Sequence, residues 1–158
     1  MQQSTILNSR DIKRLRELIE HQFGYFPKED YAFLKSENDK INIVTKDLAK
    51  LNLKNLIIDK IGLYFGEDCG TEIRLSKEGA QLLGQEAIEN HKPLKNVIEF
   101  TEEELKQYFQ GVDIEKDCGE EKRLVLLKYK NDIFGCAKYK EKKVLNFMPK
   151  THRGEVIV

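Results

Sequence analysis

The stretch RLVLLKYKNDIFGCAKYKEKKVLNFMPKTHRG, Arg123 to Gly154, decides how the chain is read. Short apolar runs broken by polar residues predict three strands joined by tight turns. The cations stand on polar positions between apolar ones, and the stretch closes with Pro149-Lys150, Arg153 and Gly154. From Lys122 to Val158 there are eight Lys and two Arg against three acids, a net of about +7 in a chain whose formal charge is zero. A basic face on a neutral protein suits a phosphate backbone.

Outward from that stretch the charge reverses. Residues 71–121 carry 6 cations and 13 acids, while residues 1–70 carry 11 of each. Such asymmetry is expected of a molecule that meets a polyanion on one side. It is equally expected if the acids of one strand set pair with the lysines of the next. The 158 residues are enough for one ordinary domain or two small ones sharing an interface, and two small lobes are expected. A hydrophobic fraction of 40% with 34% charged residues describes a folded, soluble chain. No apolar run nears the roughly 18 residues of a membrane span, and the start, MQQSTILNSRDIKR, holds no signal-like apolar segment, so a cytoplasmic location is expected. Cys69, Cys118 and Cys136 are odd in number and far apart, against a disulfide framework, and no C-x-x-C or H-x-x-H spacing points to a metal.

The N-terminal part predicts a small α+β lobe. Residues 1 to 8 are expected to be loose. Ser9 is placed to cap a helix to about Gln22, with Ile12, Leu15, Leu18, Ile19 and Phe23 as its apolar stripe and Gly24 as its stop. Its cations Arg10, Lys13, Arg14 and Arg16 read as a solvated face. Tyr31–Leu34 and Ile41–Val44 read as a hairpin, Thr45 as the cap of a short helix to about Leu51, and Leu56–Phe65 as a strand. Gly66 and Gly70 bracket an acidic break.

The second part opens with Glu72–Leu75 as a strand, and Ser76 caps a helix lined by Ala80, Leu83 and Ala87 that stops at His91-Lys92-Pro93. Asn96–Phe100 reads as a strand. Thr101-Glu102-Glu103-Glu104 matches a capping box ahead of Leu105, Tyr108 and Phe109, and Gly111 releases the chain into Val112–Ile114. Short strands with two helices in under 90 residues predict a compact, partly closed β-barrel.

Enzyme signatures are scarce: there is no G-x-G-x-x-G, G-x-x-x-x-G-K-[ST] or G-x-S-x-G, and His21, His91 and His152 have no triad-like neighbours. The positive signal is the alternation from Lys128 onward. Lys138 and Lys140 share a strand face, and Tyr129, Tyr139 and Phe147 interleave aromatic rings with the lysines, a pattern suited to stacking an unpaired base beside a phosphate contact. Core packing is the competing use of those rings.

The runs Tyr108 to Ile114, Leu124 to Tyr129, Ile133 to Lys138 and Lys143 to Lys150, with Arg153 and Gly154, resemble the PUA-like C-terminal domain of Nop/Sun-type cytosine-5 RNA methyltransferases. The N-terminal part is similar in layout to the two-lobed PUA-containing ribosome-biogenesis factors. The resemblance implies an α+β chain: a pre-PUA lobe over 1–70 and a PUA-like β-barrel that binds RNA over 71–158. It implies Lys138, Asn146, Lys150 and Arg153 as RNA contacts, with Lys140 beside Lys138. The methyltransferase's Rossmann domain, nucleophilic cysteine motifs and methyl-donor site have no counterpart, so no catalysis, cofactor or metal is expected. The resemblance thus implies a non-catalytic RNA-binding protein of rRNA or tRNA modification or ribosome biogenesis. The alternative is a protein–protein module, docking a separately encoded RNA methyltransferase or assembly factor through the acidic 71–121 segment.

Overall fold

The computed structural model describes residues 4–28, 30–45 and 62–146. Among these the chain forms three helices and two five-stranded sheets. The first sheet runs β1 (Ser4–Ile6), β2 (Tyr31–Ser36), β3 (Lys40–Thr45), β4 (Leu63–Asp68) and β5 (Ile73–Leu75), each strand antiparallel to its neighbour. The second follows the order β6 (Val97–Glu99), β8 (Arg123–Tyr129), β9 (Asp132–Lys140), β10 (Lys143–Val144) and β7 (Ile114–Glu115), and curls into a half-barrel. Among the described strands only β6 and β8 run parallel. The α+β class and the partly closed PUA-like barrel expected from the sequence are both present.

Helix α1 (Ser9–Phe23) is amphipathic as its spacing predicts, burying Leu15, Ile19 and Phe23. Its cap is Asn8 rather than Ser9: the Asn8 side chain accepts from the Asp11 amide at 2.9 Å, and Ser9 is the first helical residue. Gly24 ends it at φ 86, donating its amide to the Glu20 carbonyl. Helix α2 (Lys77–Glu89) is capped by Ser76, and α3 (Glu102–Phe109) carries the complete capping box of Thr101 and Glu104.

Several local expectations change. Ser4–Ile6 is not loose but adds an edge strand to β2, a segment too short to show alternation in sequence, while residues 1–3 lie outside the described residues. Gly66 does not break its strand but lies inside β4, where a Cβ would fall 2.6 Å from the Arg74 carbonyl of β5. Consequently Ile73–Leu75 closes the first sheet instead of opening the second. The expected short helix after Thr45, the start of the strand from Leu56, and the tail from Phe147 lie outside the described residues.

One hydrophobic core joins the two sheets. Phe33, Phe65 and Ile73 of the first sheet meet Leu83 and Ala87 of α2 and Leu124, Leu126 and Ile133 of the second. A second core fills the half-barrel, with Val125, Leu127, Tyr139 and Val144 packed around Phe100 and Tyr108. Strand β8 is therefore buried on both faces, its even residues toward α2 and its odd ones toward the barrel interior, which explains the unbroken run Leu124-Val125-Leu126-Leu127. Gly84 sets how near α2 comes to β9: a Cβ there would fall 2.5 Å from Ile133 Cγ1.

Candidate nucleic-acid interface

The β8–β9 hairpin carries the basic positions. From Arg123 to Tyr129 it pairs in register with Tyr139 to Asp132, with a shift between Leu127 and Lys128 that leaves Phe134 in the bulge. Lys128 and Lys130 stand at the tip of this hairpin. Lys140, Lys142 and Lys143 stand at its other end, roughly 20 Å away by strand rise. Lys130, Glu141 and Lys142 hold positive φ of 53 to 59, a conformation that costs non-glycine residues energy and marks both turns as tight.

Part of the positive charge is spent inside the molecule. Lys138 meets Glu72 at 3.1 Å, and only 18% of its side chain is exposed. Lys142 lies 3.5 Å from Glu120 and 3.8 Å from Asp117, and Lys143 lies 3.9 Å from Glu115. These last contacts are solvent-exposed, so they hold their lysines weakly. The Arg123 guanidinium lies 4.9 Å from the Tyr139 ring centre and donates to the carbonyls of Glu121 and Cys118, locking the loop between β7 and β8. Lys128, Lys130 and Lys140 form no ion pair among the described residues. Lys140 sits directly opposite Lys143 in the ladder, a like-charge pair that an anion would relieve.

The expected RNA-contact residues thus fall into three groups. Lys140 is exposed at the strand end. Lys138 and Asn146 are engaged: the Asn146 side-chain amide donates to the carbonyls of Tyr108 at 2.6 Å and Val112 at 3.1 Å, and its backbone amide donates to Asp113 at 2.7 Å. Lys150 and Arg153 lie outside the described residues, as does Phe147. Of the interleaved aromatics, Tyr139 is fully buried, accepting from the Cys118 amide and donating to the Gly119 carbonyl, so its ring belongs to the core. Tyr129 remains partly exposed, with the Lys130 ammonium 5.4 Å from its ring centre.

The other chemically suggestive residues have structural uses. Burial would raise the Glu104 carboxyl, but the Thr101 amide and Lys116 at 2.9 Å outweigh it and hold it low. Burial pushes the Cys136 thiol up to about 12, which keeps it protonated and unreactive. Cys69 and Cys118 are free thiols. Among the described residues no group of three His, Cys, Asp or Glu side chains is arranged to hold a metal ion. No described helix is long and apolar enough to cross a membrane.

One feature of the surface has no sequence signature. Beside the hairpin tip, α2 and the turn enclose a cleft of about 610 Å³ between Gln81, Gln85 and Glu89 on one side and Asn131, Asp132 and Phe134 on the other. Glutamines on a helix face are ordinary, and only the approach of α2 to β9 brings them opposite the hairpin.

Comparison with known proteins agrees with the half-barrel. Residues 95–153 match the family model of the methyltransferase RsmF PUA domain, which takes in β6, α3, β7, β8, β9 and β10. No curated protein matches the chain. The second sheet with α3 is a PUA-like domain that resembles the C-terminal domain of Sun-type methyltransferases.

Proposed function

We propose that the protein is a non-catalytic RNA-binding protein of the cytoplasm, acting in rRNA or tRNA modification or in ribosome biogenesis. The observation that carries this reading is the PUA-like half-barrel, since a PUA domain from a methyltransferase family supports an RNA-binding or methyltransferase-associated role. The exposed cations of the β8–β9 hairpin support the first of these. Lys140 and Lys143 face each other across the ladder, and Lys128 and Lys130 flank the tip, so both ends of the hairpin offer phosphate contacts. Lys150 and Arg153 of the tail are contacts by family resemblance alone. Lys138 contributes through the strand it helps fix against Glu72.

A docking role toward a separate methyltransferase or assembly factor is the second reading. The exposed acids Glu102 and Glu103 of α3 support it, for they lie within the matched segment.

Fluorescence anisotropy with a labelled single-stranded RNA over a salt series separates the two. Binding that weakens with salt is expected, and Lys140→Ala should lower the log–log slope by roughly 0.7. Lys13→Ala on α1 should leave the slope unchanged. Affinity that is absent, or indifferent to salt and to Lys140, would remove the RNA-binding reading in favour of the docking one.

A further inference from the structure

We propose that the cleft between α2 and the tip of the β8–β9 hairpin is a subsite for one unpaired base of an RNA strand, shaped for guanine; this rests on the RNA-binding reading above. At about 610 Å³ the cleft has room for a nucleotide, within the span of roughly 300 to 1,000 Å³ typical of small-ligand sites. Its floor is apolar, made by the buried Ile133 and the half-buried Phe134. Rings of Phe100, Tyr108 and Phe109 hold Phe134 at centroid distances of 5.5, 6.1 and 6.0 Å, so the apolar edge of the cleft is fixed in place.

The rim supplies the reading groups. Gln81, Gln85 and Asn131 offer carboxamides that both donate and accept, and Glu89 and Asp132 offer carboxylates that only accept. Guanine presents an N–H and an amino group side by side on its pairing edge, the pattern that a carboxylate receives with two parallel hydrogen bonds. The same carboxylates repel phosphate, so the backbone of the strand has to run outside the cleft. Lys128 and Lys130 stand there: Lys128 pairs in register with Ile133 of the cleft floor, Lys130 occupies the turn, and neither is in an ion pair among the described residues. A cationic protein segment is the competing occupant of a site with two carboxylates. The apolar lining of Ile133 and Phe134 and the three carboxamides favour the base. Because α2 lies outside the matched residues 95–153, the subsite belongs to the combination of both sheets and not to the PUA-like domain alone.

The test uses the full chain and two labelled strands, oligouridine and the same strand with one central guanosine. The guanosine strand should bind more tightly by roughly fivefold or more. Asp132→Ala and Gln85→Ala should abolish that preference while leaving the salt slope in place, and Lys130→Ala should lower the slope for both strands. Asp132 and Gln85 are exposed, so these variants are expected to melt like the parent. Equal binding of the two strands, or a preference that survives both substitutions, overturns the subsite and leaves RNA binding standing. Absence of salt-dependent binding to either strand overturns both. An oligoarginine peptide whose binding is lost in Asp132→Ala, without any guanosine preference, reassigns the cleft to a cationic protein partner and likewise overturns the proposal.

Discussion

Asn146 shows how one side chain can stand in a functional pattern and still be used by the fold. Its side-chain amide ties the carbonyls of Tyr108 and Val112 together, and its backbone amide is held by Asp113, so it fastens the end of β10 to the turn after α3. Family resemblance makes it an RNA contact, but the geometry gives its donors to the protein. Asn146→Ala strips two carbonyls of their donor and is expected to destabilise the protein by about 1 to 3 kcal/mol. Urea unfolding measures this, and RNA affinity measured on the folded variant should be close to that of the parent. An unchanged unfolding midpoint with lost RNA affinity would restore the direct role. Residues of this kind are not distinguishable in sequence, because the same asparagine serves either use and only its distance to the carbonyls separates them.

At the scale of elements, the clearest device is the junction of β4, α1 and β2. Asp68 at the end of β4 is 8% exposed and receives Arg14 of α1 at 2.7 Å, Lys35 of β2 at 2.9 Å and the Gly70 amide at 2.9 Å. Burial alone would raise this carboxyl. The hydrogen bonds from Arg14, Gly70 and Lys35, with the Lys35 charge, more than offset it and hold it well below its ordinary value of 3.8. A carboxyl depressed by folding binds fewer protons in the native state, so its contribution is full above the ordinary value and is lost as the pH falls below it. Stability is therefore expected to decline from about pH 4 downward. Asp68→Asn should flatten that decline, at the cost of lower stability at neutral pH, and thermal melts across pH 2.5 to 7 read both effects. An acid limb as steep in the variant as in the parent would assign the decline to other carboxylates. The half-exposed Arg14 accounts for part only, and Arg14→Ala should cost about 1 to 2 kcal/mol because Lys35 still faces the buried carboxylate.

Across the whole molecule, the two sheets share one core, besides the second core inside the half-barrel. Phe33 and Phe65 pack in the same cluster as Leu124 and Ile133, with Leu83 and Ala87 of α2 between them. A division at residue 70 would cut β5 from β4 and strip Phe33 and Phe65 from the cluster they share with Leu83 and Ala87 of α2, which are wholly buried. We therefore propose that the two lobes, 1–70 and 71–158, unfold as one unit. A chain starting at Gly70 is expected to be poorly soluble or to lose its cooperative melt. A fragment that melts cooperatively at the temperature of the full chain would show the lobes to be independent.

Local rules were legible in the sequence. The stripe of α1, the Ser76 cap and the capping box at Thr101 each depend on neighbours within a few residues, and local pattern reports them. The surplus of lysines was legible in the composition of the segment, and its PUA-like character in its family resemblance. Tertiary structure alone decided which partners those residues meet: Glu72 taking Lys138, the core taking Tyr139, β5 joining the first sheet, and α2 standing opposite the hairpin tip. Apart from β5, which pairs with the neighbouring β4, each of these joins residues far apart in the chain. Composition fixes the sum of charge and apolar surface, while the pairing of distant strands determines which cations remain free to meet a phosphate.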